Sequence, residues 1–444
     1  MRAQGVVDTG NTEESSMWKF GAIWASALQR CGHYGIRSLL IIYLTTQMHL
    51  SFQEAGQAYG LFYGSLFFTS LLGGLLGDSR LGFSRAGSIG LILICVGSVG
   101  LALQTPITAL FSLAVYSIGF GLFDPNLNLS ISNKFQASEQ LRSAAYTVLY
   151  TAINIGAMLG PFLFGYIAQQ FGVEYAFPLA GLLALIGCPL FRKATQEGEF
   201  PKARGRDPET RKPDARQSPG TEDAAAARWP LIALGILALI GIVFWAVFDQ
   251  LGSSVTLLAN EHVQRKVGSF VIPAGFVQSI NPAFVILLGA PFSLAMKRRK
   301  STSGEVEGGV RILSVGILLL GLGFGLLALA SRGSSQFIGW GWIILPILCA
   351  TVGELLFAPA SLSLTASLSP ARRRAFILGA WSATYGLGAY LSGTMAGAMA
   401  AFGAFSRFFG ISAAACAVTG VVLWLAASKF AAAGSAGQLR AEYR

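Results

Sequence analysis

The chain alternates long apolar runs with short polar interruptions, and twelve such runs follow one another over its 444 residues. They cover roughly 18–47, 52–77, 83–103, 106–131, 144–169, 173–191, 229–259, 269–296, 310–331, 338–367, 375–401 and 404–428. Each holds about 20 residues or more, the length a helix needs to cross roughly 30 Å of hydrocarbon. This pattern predicts an all-α membrane protein with twelve transmembrane helices. Composition agrees: the chain is 53% hydrophobic and 12% charged, where a soluble protein carries about 25% charged residues. The 54 glycines suit a bundle held by close helix packing rather than by the hydrophobic effect.

The polar interruptions differ in charge. Basic residues gather in alternate loops: Arg80 and Arg85, Lys134 and Arg142, the 192–228 segment, Lys297–Lys300, Arg372–Arg374 and the tail from Lys429. Loops around 48–51, 104–105, 170–172 and 402–403 hold no Lys or Arg, and loop 260–268 is a modest exception with Arg265 and Lys266. The positive-inside rule then places both termini and residues 192–228 in the cytoplasm of a cell-membrane protein. Distributed in this way, the net charge of +11 describes topology in a lipid bilayer rather than nucleic-acid binding. Residues 1–16 are polar and lack an apolar core, so no cleaved signal peptide is expected and the first span directs insertion.

Residues 192–228 contain four prolines and 16 charged residues of mixed sign, a composition that buries no core. The segment reads as a solvated tether, with a regulatory role as the alternative. It divides the chain into an N-terminal tail (1–17), an N-terminal six-helix half (18–191), the linker (192–228), a C-terminal six-helix half (229–430) and a tail (431–444). The halves echo each other. Gly121-Leu122-Phe123-Asp124-Pro125 in span 4 parallels Leu355-Leu356-Phe357-Ala358-Pro359 in span 10. Gly156-Ala157-Met158-Leu159 in span 5 parallels Gly388-Ala389-Tyr390-Leu391 in span 11. A repeated six-helix half with a site near the midplane is the major facilitator 6+6 architecture.

Five ionisable residues lie deep inside spans: Arg30 and Arg37 in span 1, Asp124 in span 4, Asp249 in span 7 and Glu354 in span 10. A charge at membrane depth is costly unless it meets a partner or water, so such residues mark a pathway or coupling site. Their presence in both halves implies a central polar cavity and a secondary transporter, not an enzyme. The glycines sit inside apolar spans and no Walker-type lysine follows them, which argues against a nucleotide-driven pump. Cys31, Cys95, Cys188, Cys349 and Cys416 fall within spans, with neither metal spacing nor a disulfide framework, and no cofactor is implied.

Several motifs share one resemblance. Gly73-Gly74-Leu75-Leu76-Gly77-Asp78-Ser79-Arg80-Leu81-Gly82 lies between spans 2 and 3. Span 1 reads Gln29-Arg30-Cys31-Gly32-His33-Tyr34-Gly35-Ile36-Arg37, span 4 Gly121-Leu122-Phe123-Asp124-Pro125-Asn126, and span 5 Tyr150-Thr151-Ala152-Ile153-Asn154-Ile155-Gly156. Span 7 holds Phe244-Trp245-Ala246-Val247-Phe248-Asp249-Gln250 before Gly252-Ser253-Ser254. Span 8 holds Pro273-Ala274-Gly275-Phe276-Val277-Gln278-Ser279-Ile280-Asn281-Pro282, and span 10 Gly353-Glu354-Leu355 with Pro359. In this order, at matching helices, these segments resemble the proton-dependent oligopeptide transporter family. The chain departs from it in span 1, where Ser26 and Gln29 stand for two family glutamates, and in span 4, where Asp124 stands for a lysine.

The resemblance implies alternating-access transport of a di- or tripeptide, or a related small molecule, together with protons. It implies that Glu354 holds the substrate's amino end and that Arg37, Tyr34, Tyr150, Asn154, Gln278, Asn281 and Trp381 line the substrate site, although packing is an alternative for each aromatic. Under the family packing of spans 1 and 4, Asp124 falls opposite Arg30, as a pathway pair or a structural one. Arg37 and Asp249 lie equally deep, about 15 Å from the outer ends of their spans at about 1.5 Å per residue, and an ion pair between them closes an outer gate. His33 titrates near neutrality and is open to a coupling role or to a packed one. A sensor or receptor that keeps the fold without transporting is the rival reading, and a transporter of a different small solute is another.

Overall fold

The structure, a computed structural model, describes residues 20–77, 81–135, 138–196, 221–298, 305–333, 337–369, 374–399 and 404–442. Six helices come first: α1 Gly21–Thr46, α2 Phe52–Gly77, α3 Phe83–Gly100, α4 Pro106–Lys134, α5 Glu139–Gln170 and α6 Val173–Gln196. Then come α7 Thr221–Phe248, α8 Ser254–His262, α9 Val277–Arg298, α10 Glu305–Ala330, α11 Gly341–Leu368, α12 Arg374–Ala398 and α13 Phe405–Glu442. α7 and α8 share one span, Leu231–His262, so these segments amount to twelve long helices. Among the described residues, ten spans are long and apolar enough to cross a membrane. α1 and α12 have the length but a more polar makeup; α1 alone carries Arg30 and Arg37. The N-terminal tail, most of the linker (197–220) and residues 78–80 of the span 2–3 motif lie outside the described residues.

Helix ends follow local chemistry. α4 starts on a reciprocal cap between Thr105 and Thr108 with Pro106 in its first turn, where a missing N–H costs nothing. α5 and α6 are joined through Phe171 and Gly172, and the φ of +108° at Gly172 suits glycine alone. α5 begins five residues ahead of the apolar run at 144, on a cap from Ser138 to Leu141. α13 continues to Glu442, through most of the segment read as a tail. The loop after α8 forms a small antiparallel hairpin, β1 Lys266–Val267 with β2 Phe270–Val271.

The seventh span departs from the continuous run at 229–259. After α7 the chain tightens into a 3-10 turn, Asp249–Leu251, and Ser253 takes φ −118° and ψ −89° before α8 begins. The freed backbone finds partners nearby: the Gln278 amide donates to the Gly252 carbonyl at 3.2 Å, and the Thr256 hydroxyl donates to the Leu251 carbonyl at 3.1 Å. Irregular backbone at membrane depth survives only where protein or water satisfies it. Gly252-Ser253-Ser254 is the sequence signal for the break.

The chain forms two compact units, and the division falls inside α1 and α2. The first holds α1 up to Ile36, α2 from Phe68, and α3 to α6. Here α1 and α5 meet backbone to backbone: a Cβ on Gly160 would lie 2.3 Å from the Cys31 carbonyl oxygen. Phe123 of α4 packs edge-on against Phe191 of α6, and the hydroxyls of Ser84 and Thr195 meet at 2.6 Å. The second unit holds α1 from Arg37, α2 up to Phe67, and α7 to α13. Phe244 of α7 stacks on Phe357 of α11 with centroids 3.9 Å apart, and Trp245 stacks on Tyr385 of α12 at 4.1 Å. In both units large apolar side chains such as Leu71, Ile107, Leu239 and Leu425 stand exposed, as a lipid-facing surface requires.

Candidate functional site

In the first unit, Ser26, Gln29, Arg30 and His33 recur at helical spacing and so share one face of α1. Ser26, Gln29 and His33 are buried. The Arg30 guanidinium donates from Nη2 to Oδ1 of Asp124 on α4 and lies 4.8 Å above the Phe120 ring. Both partners are largely buried, at 13% and 25% side-chain exposure. Ion pairs removed from water in this way are worth keeping only with good geometry and further contacts, and the aromatic face supplies one. His33 sits one turn on, its Nδ1 3.2 Å from the Tyr116 hydroxyl, with its ring among Tyr34, Tyr116 and Phe120. On α5, the Asn154 amide donates to the carbonyl of Tyr150 one turn back at 2.9 Å, while the Tyr150 side chain is half exposed.

In the second unit, Arg37 is engaged on three sides. Its Nη2 donates to Asp249 Oδ1 at 2.6 Å, its Nε donates to the Tyr59 hydroxyl at 3.2 Å, and its guanidinium lies 5.1 Å above the Tyr63 ring. Asp249 stands at the start of the 3-10 turn, so the break in the seventh span aims its carboxylate. Tightness comes from Gly252: a Cβ there would lie 2.5 Å from the Tyr59 hydroxyl and 2.7 Å from Arg37 Nε. Glu354 on α11 accepts a hydrogen bond from Asn281 of α9 at 3.0 Å, and the same amide reaches the Thr351 hydroxyl at 3.0 Å.

Gln278 and Trp381 have structural partners. The Gln278 amide bonds the Gly252 carbonyl and the Thr256 hydroxyl, which holds the broken span in shape. Trp381, 5% exposed, packs on α7 at Gly241, where a Cβ would lie 3.0 Å from its ring. Residues the sequence reading passed over complete both centres: Tyr116 and Phe120 in the first unit, and Tyr59, Tyr63, Thr351 and Tyr385 in the second. The motif Phe244-Trp245 was a signal for the Tyr385 stack; an aromatic in an apolar span otherwise looks like any packing residue. Among the described residues no group of three or more His, Cys, Asp or Glu side chains is placed to hold a metal.

Comparison with known proteins follows the same lines. A family profile described as Major Facilitator Superfamily matches residues 22–302, and one described as POT family matches residues 215–413. The chain is 25% identical to the peptide transporter YePEPT of Yersinia enterocolitica, over 85% of this chain and 86% of that protein. It is 25% identical to dipeptide and tripeptide permease A of Cronobacter turicensis, over 84% and 82% of the two chains. Its fold matches the crystal structure of a peptide transporter POT in complex with sulfate, with a TM-score of 0.80 at 20% identity, covering 94% of this chain and 95% of that one. The chain is a multi-pass membrane protein that belongs to the Major Facilitator Superfamily, and its residues 215–413 are similar to the POT family.

Proposed function

We propose that this protein is a secondary active transporter that carries a small peptide or peptide-like molecule across the membrane by alternating access, driven by protons. The observation that supports it best is Glu354, a carboxylate in the middle of α11 that is steadied by a neutral amide, Asn281, and has no ion-pair partner among the described residues. A partly dehydrated carboxylate of this kind suits an ammonium group, which forms charge-assisted hydrogen bonds. Relatives named as peptide transporters over more than four-fifths of the chain support the cargo class. In this reading Arg37 and Asp249 close one side of the pathway, Tyr34, Tyr150, Asn154, Gln278, Asn281 and Trp381 shape the route, and Arg30, Asp124 and His33 set its polarity. Both termini and the 192–228 linker face the cytoplasm.

Counterflow into proteoliposomes tests this, using a panel of di- and tripeptides with free and blocked ends. Members with a free amine exchange and N-acetylated members do not. Glu354→Gln removes a hydrogen bond to a charge worth about 1.5–3 kcal/mol, so exchange affinity falls about 10- to 150-fold while the protein still inserts. Equal affinity of the two forms refutes the assignment. One observation favours a second reading, a sensor without transport: residues 21–46 contain no carboxylate, so α1 offers no acid to carry a proton and His33 is its one side chain that titrates near neutrality. A panel that binds without exchanging selects that reading.

A further inference from the structure

His33 lies deep in α1 of the first unit, 5% exposed, and its ring is set among aromatic faces: Tyr116 at 5.9 Å, Phe120 at 4.9 Å and Tyr34 edge-on at 5.4 Å. Such faces attract a cation. Its Nδ1 is 3.2 Å from the Tyr116 hydroxyl. Gln29, one turn earlier on α1, approaches the same hydroxyl. Gln29 is 1% exposed, yet its amide nitrogen and oxygen, both buried, complete no hydrogen bond. A buried polar group in that condition calls for a reason, and the chemistry of its neighbours supplies one.

A hydroxyl between an imidazole and an amide has one proton and two directions in which to point it. With His33 neutral and its proton on Nε2, the Tyr116 hydroxyl donates to Nδ1 while its oxygen faces the Gln29 amide N–H. A proton taken from water onto Nδ1 turns that nitrogen into a donor to the Tyr116 oxygen, and the hydroxyl proton then needs another acceptor. Gln29 Oε1 is that acceptor. An amide carries both a donor and an acceptor, so it serves both states, whereas a carboxylate or an apolar side chain serves one at most. The charged groups nearest along α1 are Arg30, one turn before, and Arg37, one turn after, and each is held by an aspartate: Asp124 of α4 and Asp249. A proton on His33 therefore joins neutral pairs rather than bare cations, with the titratable hydroxyls of Tyr34 and Tyr116 against its ring. We infer that His33 is a proton-binding site of the first unit, with Tyr116 and Gln29 as the relay that accommodates it charged or neutral. This rests on the proposal that protons drive transport, and it names where one of them binds.

The chain holds three histidines, His33, His49 and His262. His49→Asn suits the left-handed backbone at that position, φ +53°, and together with His262→Gln it leaves His33 alone. Nitrogen NMR of this full-length protein, labelled at histidine, then reads one imidazole. Its signals titrate between about pH 5 and pH 8. Adding Gln29→Leu strands the turned hydroxyl and moves the midpoint down by about one pH unit, which a packing role for Gln29 would not do. In proteoliposomes, His33→Phe keeps an aromatic ring in the stack and exchanges labelled dialanine in counterflow, but does not accumulate it on an inside-alkaline gradient that the unmodified protein uses. An imidazole that stays in one form across that pH range, or a midpoint indifferent to Gln29→Leu, overturns the inference whether or not His33→Phe folds. Accumulation by folded His33→Phe overturns it too, and leaves proton-driven transport standing. If the unmodified protein shows no dependence on the gradient, proton-driven transport falls and this inference falls with it.

Discussion

Alternating access requires helices that pack closely in one state to part in another, and the second unit holds a contact built for that. On α2, Gly56 and Gly60 meet Gly393 and Gly397 on α12. A Cβ on Gly393 would lie 2.3 Å from the Gly60 nitrogen, 2.4 Å from its Cα and 2.5 Å from the Gly56 carbonyl oxygen. All three neighbours are backbone atoms, so no side chain can swing aside. Ordinary carbon contacts sit at about 3.5 Å or more, so Gly393→Ala pushes the helices apart by roughly 1.2 Å. Overpacking of this kind costs about 1–3 kcal/mol, which shifts a two-state equilibrium about 5- to 150-fold. The assay is the labelling rate of Ser253→Cys by an impermeant maleimide in a background without the native cysteines. Ser253 is fully buried beside Ser392 in the packed state. Gly393→Ala speeds labelling by that factor. Gly379→Ala on the same helix, where a Cβ meets nothing within 4 Å, leaves the rate unchanged. Equal rates for Gly393→Ala and the unmodified background, with both proteins folded, refute the idea that this contact holds one state closed.

Three further outcomes follow from the geometry. Asp249→Asn leaves the largely buried Arg37 without its counter-charge, a loss of about 3–5 kcal/mol for the packed arrangement; gradient-driven accumulation is lost while counterflow exchange, which needs no net proton movement, persists. Accumulation by the variant would remove Asp249 from the coupling path. Gly252→Ala drives a methyl into Tyr59 and Arg37 and speeds labelling in the maleimide assay, whereas unchanged labelling would show that the break tolerates a side chain. Ser218→Cys in intact cells resists an impermeant reagent added outside, and labelling there would overturn the proposed cytoplasmic linker.

The long helices were legible because crossing a membrane demands about 20 apolar residues in succession, and little else in the chain competes with that signal. The ionisable residues were legible for the complementary reason: five charges among so many apolar positions stand out. Their partners were less so. Arg37 and Asp249 are 212 residues apart and Arg30 and Asp124 are 94 apart, so only the equal depth of the first pair and a family likeness for the second suggested who meets whom. Tyr59 and Tyr63 were invisible because an aromatic in an apolar span reads as packing until its hydroxyl or ring face is seen against a guanidinium. The break at Asp249–Ser253 was hidden by the same hydropathy that revealed the span: a run of apolar residues measures length, not continuity. Gly252 with two serines was the only mark of it, and its meaning depends on Gln278 and Thr256 lying close enough to satisfy the freed carbonyls.

The central claim is that a proton gradient moves a peptide-like solute through this protein. The direct measurement is uptake of labelled dialanine into proteoliposomes with the inside alkaline and the membrane potential clamped at zero, beside dialanine amide and protein-free vesicles. The account predicts accumulation above the external concentration that collapses on adding a protonophore and is absent from protein-free vesicles. Uptake that only equilibrates, with or without the gradient, would contradict proton-driven transport. No protein-dependent uptake of either probe would contradict the cargo as well.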